Sequence, residues 1–179
     1  MSQLEALYQQ VILDHSKQKH GRAELPEPVL LDPASAARSH QYNPLCGDEV
    51  TVQLTLDEET VGELAWNGEG CSISQAATSV MHDLIVGRPV AEARGILADY
   101  RTMLRSRGEG TPDEEVLGDA VAFAGVSRHA NRVKCAILGW TAFEDALLRI
   151  EAVRTTVPTG PPAPTEPPAL TAPTTAKDA

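Results

Sequence analysis

At 179 residues, 42% hydrophobic but only 4% aromatic, the chain is long enough to bury one core built mainly from Leu, Val, Ile and Ala. Its formal net charge of −10 argues against a nucleic-acid partner, which needs a basic face. No apolar run approaches the ~20 residues that span a bilayer, which argues against a membrane role. Met1–Glu5 lacks the basic-then-apolar pattern of a secretory signal, so the expected compartment is the cytoplasm, where thiols stay reduced.

Leu4, Tyr8, Val11, Ile12 and His15 recur at helical spacing and predict a helix over Leu4–Lys19. Gly21 ends it, and Pro26 and Pro28 forbid its continuation into the loop that runs to about Ala37. A strand is expected at about Ala37–Tyr42. Val50–Leu56 alternates strictly between apolar and polar and predicts a half-buried strand. The acidic turn Asp57-Glu58-Glu59 links it to a further strand over Val61–Asn67, so these two form an antiparallel hairpin.

After Cys71 the pattern turns helical. Ala76, Val80, Leu84 and Ile85 share one face, and Gly87-Arg88-Pro89 ends that helix. Val90–Leu104 predicts a second helix, burying Ile96, Leu97, Tyr100 and Leu104. Arg107–Pro112 is a loop, and Asp113-Glu114-Glu115 can open a short helix, as the macrodipole favours. A long last helix is expected over Cys135–Val153, with Ile137, Leu138, Thr141, Ala142, Ala146 and Leu147 inward. The fold class is α+β: a small antiparallel three-stranded sheet packed by helices, occupying residues 1–154. From Thr155 to Ala179 the chain holds seven of its thirteen prolines, one leucine and no aromatic residue. A segment so poor in apolar area cannot offset its ordering entropy, so residues 155–179 are expected to be a disordered, solvated tail.

Three cysteines carry the chemical signal, and an odd number cannot be fully paired within one chain. Cys46 lies in Asn43-Pro44-Leu45-Cys46-Gly47-Asp48, where a turn can aim its side chain into a cleft, with Asp48 close enough to face the same ion. Gly68 and Gly70 permit unusual dihedrals before Cys71. Ser72 or Ser74 can cap the following helix, whose N-terminus lowers the pKa of a nearby thiol. Cys135, after Arg132-Val133-Lys134, stands near the start of the last helix, where the same dipole acts. Three thiols and one carboxylate are the donors a tetrahedral thiophilic metal takes. Against this, a single cysteine is more often a small buried hydrophobe, and the spacing is not that of a zinc ribbon. His15, His20, His40, His82 and His129 are read as solvated or structural. Cys71 as the nucleophile of an independent thiol enzyme is a further reading, but no arginine follows it to cradle an anion and no histidine is placed as its base. A structural zinc module that binds proteins is another.

The three cysteine settings resemble the iron–sulfur cluster assembly scaffold family, the IscU and NifU N-terminal-like proteins, from about residue 3 to 152. Leu7-Tyr8 with Asp14-His15 is similar to that family's opening helix. Asn43–Asp48, Gly70-Cys71-Ser72-Ile73-Ser74 and Arg132-Val133-Lys134-Cys135-Ala136 are similar to its three cysteine motifs, in order. The general scaffolds carry histidine before the third cysteine, where this chain has Lys134, which cannot serve as that ligand. Together with the extra segment around Arg105–Gly118, this makes the chain resemble the SufU branch. Ala130-Asn131 also departs from relatives that often have proline there, which implies a changed loop.

The resemblance implies Zn²⁺ held by Cys46, Asp48, Cys71 and Cys135. It also implies a pyridoxal-phosphate cysteine desulfurase as partner, within the SUF system of cluster assembly proteins, and Cys46 as the thiol that receives persulfide sulfur. The activity implied is that of a zinc-dependent sulfurtransferase, a sulfur relay. The alternative is a scaffold that binds iron and assembles a transient [2Fe–2S] cluster on the same thiols. Zn²⁺ with three thiolates and one carboxylate has formal charge −2, which Arg132 and Lys134 can partly offset.

Overall fold

The computed structural model describes residues 2–25, 27 and 31–156. Helix α1 spans Gln3–Gln18 and opens with a capping box. The Ser2 hydroxyl accepts from the Glu5 amide (3.1 Å), and the Glu5 carboxylate accepts from the Ser2 amide (2.8 Å). Three strands follow, β1 Ala36–Asn43, β2 Asp48–Asp57 and β3 Thr60–Glu69, pairing antiparallel in the order β1-β2-β3. Asn43 lies opposite Asp48 across the first hairpin and Asp57 opposite Thr60 across the second. The α+β class and the three-stranded sheet agree with the sequence reading, each strand being one or two residues longer at each end.

Along β2 burial alternates without a slip: Asp48, Val50, Val52, Leu54 and Leu56 point inward. Helices cover that face. Helix α2, Ser72–Ile85, packs on α1, and α3 spans Val90–Arg105. Helix α4 is the single turn Glu114–Leu117, with the Asp113 side chain accepting from the Glu115 amide at its start. The 3₁₀ segment Gly118–Arg128 follows, then α5, Ala130–Ala136, and α6, Leu138–Thr156. Helix α6 crosses β1 and β2 and buries Trp140, Phe143, Leu147 and Ile150 in the same core as Val52, Leu54 and Trp66. Among the described residues no helix is long and apolar enough to cross a membrane.

Two expectations need correction. The single last helix over Cys135–Val153 is two helices, broken at Ile137, so Cys135 closes α5 instead of opening a longer helix. The break coincides with a tertiary contact: the Tyr100 hydroxyl donates to the Ala136 carbonyl (3.1 Å) while its ring stacks on Trp140 with centroids 4.7 Å apart. The second concerns the tail, because α6 continues through Thr155 and Thr156. The rest of the expected tail lies outside the described residues.

Candidate metal centre

The turn between β1 and β2 is held by Asn43. Its side-chain oxygen accepts from the Leu45 amide (3.1 Å), and its carbonyl accepts from the amides of Cys46 (3.3 Å) and Gly47 (2.9 Å). Gly47 takes φ +75°, which a side chain would resist. The turn leaves Cys46 exposed, with its Sγ 3.5 Å from the Sγ of Cys135.

Asp48 begins β2 on the inward face and is 3% exposed. Its Oδ1 accepts from the Cys71 amide (3.0 Å), whereas its Oδ2 is buried with no hydrogen-bond partner among the described residues. Gly70 makes this approach feasible. A Cβ there would lie 2.5 Å from Ser74 Oγ and 2.9 Å from Asp48 Cγ, inside any real contact distance. Neither Gly68 nor Gly70 has positive φ, so they supply space, not the unusual dihedrals expected from the sequence. Cys71 is itself the N-cap of α2, without a side-chain capping bond, so neither Ser72 nor Ser74 takes that role. Ser74 instead donates to the Cys71 carbonyl (3.0 Å), and the Cys71 Sγ, exposed, lies 3.8 Å from Ser74 Oγ.

Cys135 is buried in the last turn of α5, its Sγ 3.7 Å from the Asn131 carbonyl. The helix dipole there has the sign opposite to the one expected from the sequence. Its thiol is pushed well up from the ordinary range by burial first, then by the Asp48 carboxyl and the Cys46 thiol beside it. Burial also raises Asp48, but the Cys135 thiol, the Cys71 amide and the side chains of Cys71 and Ser74 outweigh it and hold the carboxyl below its ordinary value. Arg132 and Lys134 are exposed residues of α5.

Ligand atoms of Cys46, Asp48 and Cys135 all lie within 4.8 Å of one another, which is close enough to converge on one ion. Cys71 stands outside that group, tied to it through its backbone amide on Asp48. A metal fits what is present. The donors are two thiols and a carboxylate with a third thiol adjoining, and the buried, unpaired Asp48 Oδ2 is an oxygen that a cation would satisfy. Sequence reasoning singled out Ser74 as a possible cap but not its observed role, in which, three residues after the N-cap, its side chain reaches back to the helix start beside Cys71.

A small antiparallel sheet covered by helices, with a thiol–carboxylate group at its hairpin, defines a fold with a candidate metal site. Residues 7–136 match the NifU-like N-terminal domain family, and the chain belongs to that family. It is 34% identical over 149 residues to the iron–sulfur cluster assembly scaffold protein IscU of Streptococcus pyogenes serotype M1, covering 83% of this chain and 87% of that one. It is also 34% identical over 148 residues to the zinc-dependent sulfurtransferase SufU of Bacillus subtilis strain 168, covering 83% and 94%. The crystal structure of a nitrogen-fixing NifU-like protein (N-terminal) from Brucella abortus matches with TM-score 0.69 and 26% identity, over 84% of this chain and 99% of that one.

Proposed function

We propose that the chain is a zinc-holding sulfur acceptor of the SUF system, working in the cytoplasm beside a pyridoxal-phosphate cysteine desulfurase. The observation that carries the reading is the exposed Cys46 Sγ, 3.5 Å from the buried Cys135 Sγ and grouped with an Asp48 carboxylate that has one unpaired oxygen. Lys134, where general scaffolds have histidine, favours the relay over cluster assembly. Cys46, Asp48, Cys71 and Cys135 are the ligands of the proposal, with Arg132 and Lys134 offsetting their charge. Zinc supplies charge without redox chemistry, so the thiols stay reduced and ordered.

The transfer is assigned to Cys46: Cys135 is buried, and of the two exposed thiols Cys46 is the one grouped with Asp48 and Cys135. Freed by a replacement ligand from the partner, its thiolate attacks the terminal sulfur of the partner's cysteine persulfide. The partner's S–S bond breaks, a new S–S bond forms on Cys46, and the partner's cysteine departs as a thiolate. No net oxidation occurs. The second reading, a scaffold that assembles a [2Fe–2S] cluster on the same residues, is supported by the equal likeness to a protein named IscU.

Elemental analysis of the purified chain, combined with desulfurase turnover in its presence and absence, separates the readings. About one zinc per chain with stimulated turnover supports the relay. Iron with visible absorption after anaerobic reconstitution, cluster delivery to an apo-protein and no stimulation supports the scaffold. Zinc whose removal unfolds the chain, without stimulation, leaves a structural module.

A further inference from the structure

We propose that the chain holds a second divalent cation, of the borderline class that imidazole and carboxylate ligands take, between His15, His20 and Asp83. Ligand atoms of these three residues lie within 4.8 Å of one another. They share none of the thiol group's residues and sit near the C-terminal end of α2. Cys71 and Asp83 are twelve residues apart on that helix, roughly 18 Å at its rise per residue.

Local backbone geometry brings the three together. His15 is buried in the last turn of α1, and α1 ends at Lys19 in the left-handed region (φ 51°). Gly21 follows at φ +74°, so close to α2 that a Cβ would lie 2.2 Å from the His82 ring. This tight turn sets His20 over Asp83, with His20 Nδ1 and Asp83 Oδ2 2.5 Å apart, and holds the rings of His15 and His20 edge to face at 5.1 Å.

Each prospective ligand already has an outer partner of the kind that orients metal-binding side chains. Asp119 Oδ2 lies 3.2 Å from His15 Nε2, Gln18 Oε1 lies 2.7 Å from His20 Nε2, and His82 Nδ1 lies 3.0 Å from Asp83 Oδ1. Asp119 and Gln18 can accept from Nε2–H of the two rings, the tautomer that frees Nδ1 for a cation; His20 Nδ1–H here donates to the Asp83 carboxylate, so a cation must displace that proton. The Nδ1 of His15 now meets the Ser79 hydroxyl (2.9 Å), which also accepts from the His20 amide (2.8 Å). A cation would replace the His20–Asp83 contact and the hydroxyl's approach to His15. Two imidazoles and one carboxylate suit Zn²⁺, Co²⁺ or Fe²⁺ and leave further positions for water.

Anaerobic titration of the full chain with Co²⁺ alone tests this, because thiolate-bound cobalt shows intense sulfur-to-metal charge transfer and a nitrogen–oxygen site shows only weak d–d bands. The wild type should take one equivalent of each kind. His20→Asn and Asp83→Asn should each weaken the second equivalent at least about tenfold. Both variants should keep the thiolate band, which reports that the variant is folded and the thiol group intact. A wild type that binds only the thiolate equivalent, or a second equivalent equally strong in both variants, overturns the proposal.

Discussion

The two ends of α2 hold two ligand groups in opposite states of satisfaction. At its start, Asp48 brings a buried oxygen with no hydrogen-bond partner among the described residues, beside a buried thiol whose pKa burial pushes up. At its end, His15, His20 and Asp83 are bonded to one another or to Asp119, Gln18, Ser79 and His82. A buried polar atom without a partner costs about 1–3 kcal/mol. A metal therefore relieves a standing cost at the first end, whereas at the second it must displace hydrogen bonds already made. Affinity should therefore be strongly unequal, high at the thiols and modest at the imidazoles.

The largest effect should come from Cys46→Ala, which abolishes the labelled sulfur acquired from the desulfurase while leaving the imidazole end unchanged. Uptake that persists in this variant would detach function from the thiol end altogether. Next, Asp48→Ala should weaken zinc at the thiols by about 100-fold or more, since changes even to outer-shell partners cost 10–100-fold. Competition with a chelator measures it. If only folding suffers and zinc affinity holds, Asp48 is a structural residue.

Gly70→Ala sharpens the account of why that end closes, because its Cβ would press on Ser74 Oγ and Asp48 Cγ. It should destabilise the fold by about 1–3 kcal/mol in chemical denaturation. The smallest effect lies away from both ends, where Arg101 on α3 holds Glu144 on α6 through two bonds of 2.7 and 2.5 Å. Arg101 depresses the Glu144 carboxyl below its ordinary 4.5 against the opposing effect of burial. A depressed carboxyl contributes stability that is present above the unfolded value and lost as pH falls through the folded one. Glu144→Gln should thus cost about 1 kcal/mol at neutral pH and nothing once the pH is below the folded value. A pH-independent difference would contradict the ion pair.

The sheet half was legible because its physics is local. Val50–Leu56 alternates, and extending that alternation by one step places Asp48 inward, so both the strand and the buried carboxylate follow from period two. The region after Gly118 was not. Ala120, Val121, Ala122, Phe123 and Val126 are all buried, and a segment enclosed on most sides shows no single apolar stripe from which its helix could be read. The break at Ile137 coincides with Tyr100 bonding the Ala136 carbonyl from 36 residues away, a tertiary contact with no local signature. Misplacing that break also misplaced Cys135 on its helix and reversed the sign of the dipole acting on it. The histidine group was missed for a related reason: His15 and His20 meet Asp83 only because the turn at Lys19 and Gly21 folds them onto another helix.

The measurement that bears most directly on the relay is intact-mass analysis, with peptide mapping, of the full chain after one round of desulfurase turnover under anaerobic conditions. The account predicts a gain of one sulfur atom, located on Cys46 as a persulfide. Sulfur found on Cys71 or Cys135 instead, or no gain in mass while the desulfurase turns over, would contradict it.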